Sequence, residues 1–129
     1  MKLVSSQEVV AFHDRLVQAY GGLAGMADPW RAEAIIHRVL NMHHYSGVDD
    51  IYELAAIYLV AISRGHIFND GNKRTALFTT QVFLKRNGIH LQQNITEVLI
   101  DITLKAATGA LPPHELAQRL RDVSTPQQP

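Results

Sequence analysis

Between Ile51 and Ser63 the residues Ile51, Leu54, Ala55, Tyr58, Leu59 and Ile62 recur at helical spacing and cover most of the helix circumference. A helix that is apolar nearly all round has to be enclosed on several sides. The rest of the chain must therefore supply enough elements to surround it, and the same 3.6-residue periodicity marks out five. Ser5 followed by Glu8 is a capping-box signature, after which Val9, Phe12, Leu16, Val17 and Tyr20 form a stripe that Gly21 and Gly22 end. Asp28-Pro29 places an N-cap before a proline in the first helical position, ahead of Ala32, Ile35, Ile36, Val39 and Leu40, and this second helix is expected to fade near His43.

A fourth helix begins near Asn72 and runs through Ala76, Leu77, Thr80, Phe83 and Leu84 to Gly88. Thr96 is expected to cap a fifth, carrying Leu99, Ile102, Thr103 and Ala106 to Gly109, and Pro112-Pro113 to open a sixth through Leu116, Leu120 and Val123. The stretch HYSGVDD, residues 44–50, reads as an exposed, flap-like loop closing on an N-cap at Asp49 or Asp50, with Gly65 stopping the helix that follows. Ile89 to Gln92 reads as a short extended link. Six amphipathic helices with short connections, and no strand run, predict an all-α single-domain bundle over residues 1–123. The polar tail STPQQP, residues 124–129, is expected to be disordered.

A chain of 129 residues that is 47% hydrophobic suffices for one core without staples, and it has no cysteine, which excludes disulfides, thiolate metal sites and thiol nucleophiles. Lys+Arg and Asp+Glu stand at 12 each, so the net field that drives nonspecific binding to nucleic acid is missing and no direct nucleic-acid contact is expected. The N-terminal MKLVSSQEVV is too brief for a secretory signal and no run reaches membrane-spanning length, so a cytoplasmic location without membrane contact is expected. Balanced charge still permits a local cluster, and Arg64, Lys73 and Arg74 form one, with Lys85 and Arg86 about three turns further on.

The densest chemistry lies between the third and fourth helices, where His66-Ile67-Phe68-Asn69-Asp70-Gly71-Asn72-Lys73-Arg74-Thr75 brings a histidine, a carboxylate, amides and two cations into ten residues. A helix start presents unpaired N–H groups and the positive end of the macrodipole, which suits phosphate oxygens, and Gly71 lets a ligand approach the backbone. Cations in a first helical turn are electrostatically misplaced unless an anion sits there. Arg74 can grip two phosphate oxygens as a fork while Lys73 acts as a point charge, Asn72 can orient a phosphate or a metal, and Asp70 can hold Mg2+. Histidine is the one side-chain type in the segment suited to proton transfer near neutral pH, which makes His66 the natural general base for a hydroxyl, with Phe68 anchoring the loop and aiming it. Each residue alone has a plainer reading, His66 as a cap and Asn-Asp-Gly-Asn as an ordinary turn; their order and spacing carry the argument. Elsewhere, adjacent His43 and His44 face different sides of a helix and make a poor metal pair, Trp30 reads as a core or rim aromatic, and Tyr45 fits either structure or binding.

His-x-Phe-x-Asp-Gly-Asn-Lys-Arg resembles the signature of the Fic/Doc (Fido) family. The Fic branch reads His-Pro-Phe-x-x-Gly-Asn-Gly-Arg; Ile67 in place of the proline and Lys73 in place of the second glycine point to the Doc (death-on-curing) branch. The likeness extends through YGGLAGMADP, RAEAII, YLVAISRGHIFNDGNKRTAL, FLKRNG and AATG. Gly71 matches the Fic pattern where Doc has alanine, so the branch rests chiefly on Lys73, and the second arginine of the Fic motif is here Leu77.

The resemblance implies the Fido fold and the toxin of a type II toxin–antitoxin module, a protein kinase that uses ATP and Mg2+ to phosphorylate a threonine of elongation factor Tu and so arrests translation. On this pattern His66 is the base, Asp70 the metal ligand, and Gly71, Asn72, Lys73 and Arg74 the phosphate cradle, with Phe68, Asn69 and Arg64 in support. No glutamate lies in the Ser/Thr-x-x-x-Glu-Gly/Asn context of the self-inhibiting Fic helix, so the resemblance assigns inhibition to a Phd-like antitoxin whose C-terminal segment occupies a groove. Fic-type AMP transfer and a noncatalytic binding module are the alternatives; Lys73 and Leu77 argue against the first, and an intact His66 and Asp70 against the second.

Overall fold

In the computed structural model, which describes residues 1–125, the chain forms helices α1 (Ser6–Tyr20), α2 (Arg31–His44), α3 (Ile51–Arg64), α4 (Asn72–Arg86), α5 (Thr96–Thr108) and α6 (Pro113–Asp122), with two-residue strands β1 (His90–Leu91) and β2 (Ser124–Thr125). The fold is the expected all-α bundle. α3 is its axis: Leu54, Ala55, Ala56, Tyr58, Leu59 and Ile62 are buried, and the helix packs against α2, α4, α5 and α6. Burying each Leu or Ile stabilises the fold by about 1.5–3 kcal/mol, which a helix apolar on one stripe could not collect on so many sides.

Local signals set most helix ends. Ser5 and Glu8 form the full capping box on α1, and the Asp50 carboxylate accepts the N–H groups of Tyr52 and Glu53 at the start of α3. Two expected starts are corrected. The Asp28 side chain accepts the Trp30 N–H in a turn that precedes the helix, so Pro29 lies outside α2, which begins at Arg31. Thr96 is the first residue of α5, with Ile95 in the cap position and no side-chain cap.

The disorder expected from residue 124 does not hold for Ser124 and Thr125, which pair antiparallel with Leu91 and His90; residues 126–129 of that tail lie outside the described residues. The pairing is reinforced by the Tyr52 hydroxyl at 2.9 Å from Ser124 Oγ. Among the described residues no helix is long and apolar enough to cross a membrane.

The N-terminal segment is tied across the bundle. Buried Tyr58 donates its hydroxyl to the Val4 carbonyl at 2.8 Å and accepts the Val4 N–H at 2.9 Å, and desolvation pushes its phenol up to about 12. Arg86 on α4 pairs with Glu8 on α1 and also donates to the Leu3 carbonyl. These links hold α1 against α4, and that fixes the geometry of the loop between α3 and α4.

Candidate active site

Gly65 ends α3 for lack of room rather than for a left-handed backbone: a Cβ there would lie 2.4 Å from the Ala61 carbonyl oxygen and 2.6 Å from Ile35 Cδ1. The next residue, His66, reverses the chain at φ 50, a left-handed conformation that a histidine adopts only at a cost. Ile67 and Phe68 then plunge into the core, leaving His66, Asn69 and Asp70 exposed above them. Gly71 at φ 79 turns the chain into α4.

The loop is closed by its own side chains. Asn72 Oδ1 accepts the Phe68 N–H at 3.0 Å, and its Nδ2 donates to the Phe68 carbonyl at 2.9 Å. The Asn72 side chain is thus occupied as a brace rather than turned to a phosphate, and what it offers a ligand is its backbone N–H in the first turn of α4. Asn69 supports the loop from outside, with its backbone N–H on the Gly25 carbonyl and Nδ2 on the Ala24 carbonyl.

Asp70 is held at three points. Its Oδ1 accepts the Gly71 N–H at 2.9 Å and its Oδ2 the Leu23 N–H at 3.1 Å, and these two N–H groups, Leu23 first, hold the carboxyl below the usual carboxylate range. Its main-chain carbonyl accepts from His13 Nε2 at 2.7 Å. His13 is 1% exposed and stacks on Phe68 with ring centroids 3.7 Å apart and planes within 3°. Neither His13 nor Leu23 was singled out by the sequence reading. The signal for His13 was there: a histidine four residues from both Val9 and Val17, on the buried stripe of α1.

His66, Asn69, Asp70, Gly71, Asn72, Lys73 and Arg74 line one cleft of about 570 Å³, together with Tyr20, Gly22, Ser63 and Thr75. This is the size range of small-molecule sites. α4 opens with no side-chain cap and no acidic residue in its first turn, while Lys73 and Arg74 are exposed there. Its free N–H groups, its dipole and two cations all point to an anion. The Arg74 guanidinium is set 5.0 Å from the Tyr20 ring centroid. Asp70 is the one carboxylate among the lining residues.

Two expected members stand apart. Phe68 is buried beneath the cleft and stacks on His13. Arg64 does not join the site: one residue before Gly65, it points to the α5–α6 corner, where its guanidinium packs on Gly109, and it lines a separate cleft between α2 and α3 with Arg31 and Arg38. The helical rotation of about 100° per residue separates it from the loop. His43 staples the 44–50 loop through the Val48 carbonyl, 2.9 Å from Nδ1.

The family model described as the Fic/DOC family matches residues 3–84, which span α1 to most of α4 and every lining residue of the cleft. This chain belongs to the Fic/DOC family. It is 48% identical over 121 residues, 94% of this chain and 94% of the relative, to a protein of Escherichia phage P1 named Protein kinase doc. The Fic/DOC motif thus coincides with the part of the structure that is polar, open and braced from beneath. α5 and α6 lie beyond the span of the family model but largely within that of the phage relative.

Proposed function

We propose that this Fic/DOC chain is a cytoplasmic protein kinase that moves the terminal phosphate of ATP to a threonine hydroxyl of elongation factor Tu, as the toxin of a type II toxin–antitoxin module. The observation that carries the reading is the composition of the cleft: an uncapped helix N-terminus with Lys73 and Arg74 in its first turn, a restrained carboxylate in Asp70, and His66 exposed beside them with no side-chain partner among the described residues. The name of the phage relative supports phosphate transfer.

The first-turn N–H groups of α4 and the Arg74 fork would hold the phosphates, and Lys73 would neutralise charge that grows on them during transfer. His66 would take the proton of the threonine hydroxyl as the oxygen bonds to the terminal phosphorus; the bond to the bridging oxygen breaks and ADP leaves. Mg2+ suits the donor set, since it keeps most of its water and binds through one or two carboxylates plus substrate phosphates, and Asp70 retains lone pairs on both carboxylate oxygens. When bound, it would neutralise phosphate charge.

Leu77 favours phosphate over AMP transfer. It stands where the Fic motif has its second arginine, and it lines a neighbouring apolar groove instead of the cleft. That groove, about 530 Å³ between α1, α4 and α5, exposes Phe78, Ile100 and Leu104 and has Lys73 and Arg74 on its rim. It fits an apolar helix face, and an antitoxin segment laid there would lie against the phosphate-binding cations.

The test is the intact mass of purified elongation factor Tu after incubation with the protein, ATP and Mg2+, with His66→Tyr alongside. One added phosphate, absent with the variant, is the expected result. An added AMP would move the chain to the adenylyltransferases of the fold, and a fully active His66→Tyr would sink the proposed mechanism.

A further inference from the structure

We infer that His13 is a positioning residue of this cleft: from beneath the loop it fixes the Asp70 peptide, and with it the direction in which the Asp70 carboxylate faces the bound phosphates. The role in transfer rests on the kinase reading above; the structural part does not.

Three contacts converge on one ring. His13 stacks on Phe68, its Nε2 lies 2.7 Å from the Asp70 carbonyl oxygen, and its Cδ2 and Nε2 stand 3.6 Å from where a Cβ of Gly71 would be. A carbonyl oxygen can only accept, so Nε2 carries the hydrogen. The peptide joining Asp70 to Gly71 is therefore pinned at its carbonyl by His13 and at its N–H by the Asp70 carboxylate itself. With the Leu23 N–H on the other carboxylate oxygen, neither the backbone nor the side chain of Asp70 can swing without breaking one of these bonds.

Packing alone does not account for a histidine here. Its Nδ1 is buried without a hydrogen-bond partner, the Asp14 carboxylate lying 3.6 Å away, beyond hydrogen-bond distance. A buried polar atom without a partner is destabilising, and a leucine or phenylalanine would fill the space between Val9 and Val17 without that cost. Tolerating the cost makes sense where the other nitrogen does something an apolar side chain cannot, which here is to hold the Asp70 carbonyl. α1 thereby serves as the bed of the loop: one turn beyond His13 it carries Leu16 and Val17, and at its end Tyr20 against Arg74.

His13→Leu and His13→Gln test the assignment, because glutamine keeps an N–H that can reach the Asp70 carbonyl and leucine does not. The first readout needs no nucleotide: hydrogen exchange of the Leu23 and Gly71 amides by NMR. In His13→Leu both are expected to exchange about tenfold faster, the scale of one lost hydrogen bond, while the α3 amides of Ala55 and Leu59 keep their protection and His13→Gln stays near wild type. In transfer assays kcat of His13→Leu is expected to fall on the order of 10- to 100-fold, as for a misplaced active-site group. Its half-saturating Mg2+ concentration should rise, the KM for the acceptor protein should be unchanged, and His13→Gln should recover most of the rate.

Unchanged exchange at Leu23 and Gly71, a uniform rise across all helices, or equal impairment of both variants would each overturn the inference and leave His13 a core residue. If the wild-type protein transfers no phosphate, the kinase reading fails on its own, and the exchange pattern alone decides the role of His13.

Discussion

The Arg74 guanidinium stands 5.0 Å from the centroid of the Tyr20 ring, so the last residue of α1 sets the direction of a cation in the first turn of α4. Tyr20 is 70% exposed and is not needed for the core. A cation–π contact at such a site is worth about 0.5–1 kcal/mol. Tyr20→Ala is therefore expected to raise the KM for ATP by roughly two- to fivefold at nearly constant kcat, and Tyr20→Phe to leave it unchanged. Steady-state kinetics over a range of ATP concentrations checks this; a KM unmoved by the alanine would show that Arg74 needs no such guide.

Two glycines of left-handed backbone should respond differently to alanine. At Gly22, φ 113, a Cβ would stand 2.8 Å from Asp70 Oδ2, so Gly22→Ala adds a clash at the carboxylate to a strain of about 1–2 kcal/mol. At Gly71, φ 79, the nearest atoms are those of the His13 ring at 3.6 Å, an ordinary contact. Gly71→Ala should lower the melting temperature and keep most of the transfer rate; Gly22→Ala should lose the rate. Melting curves and initial rates of the two variants, measured together, would contradict the geometry if that order were reversed.

Asn72 holds both backbone groups of Phe68. Asn72→Ala frees two polar groups and should cost about 1–3 kcal/mol, together with transfer activity. Asn72→Asp keeps the acceptor and puts a negative charge where the α4 dipole favours one, so it should melt above the alanine variant yet bind ATP more weakly, because that charge repels the phosphates. Calorimetric titration with ATP beside thermal denaturation separates the two effects.

Glu8 makes the acid sensitivity of the fold predictable. The Arg86 guanidinium beside it, opposed by burial and helped by the Ser5 N–H, lowers its carboxyl from the ordinary 4.5 to about 2. A folded-state value below the unfolded one means the stabilisation is complete above 4.5 and is lost as pH falls toward 2. The pair is about one-third exposed, so solvent screening reduces it to about 1 kcal/mol. Glu8→Gln should lose that amount at neutral pH and decline less steeply than wild type in acid, as followed by melting temperature against pH.

The sequence by itself determined the helices and the membership of the reactive loop, because both depend on interactions within a few residues. The capping box at Ser5, the carboxylate cap at Asp50 and the 3.6-residue apolar period act over one or two turns, and the loop is so short that His66 and residues 69–74 line one cleft while Ile67 and Phe68 anchor it from beneath. Even locally there was ambiguity. An aspartate before a proline can cap a helix or close a turn, and Asp28 does the second.

Tertiary structure decided what each side chain of the site is free to do. Asp70 is gripped by Leu23 and His13, 47 and 57 residues away, and no periodicity encodes a pairing over that distance; it follows from how Glu8–Arg86 and Val4–Tyr58 dock α1 on the bundle. Within the loop Asn72 is turned inward as a brace on Phe68 while Lys73 and Arg74 face the cleft, whereas a rotation of one residue on α3 removed Arg64 from the site. Local sequence proposes donors and acceptors and pairs the near ones, but long-range packing decides which distant groups reach the rest.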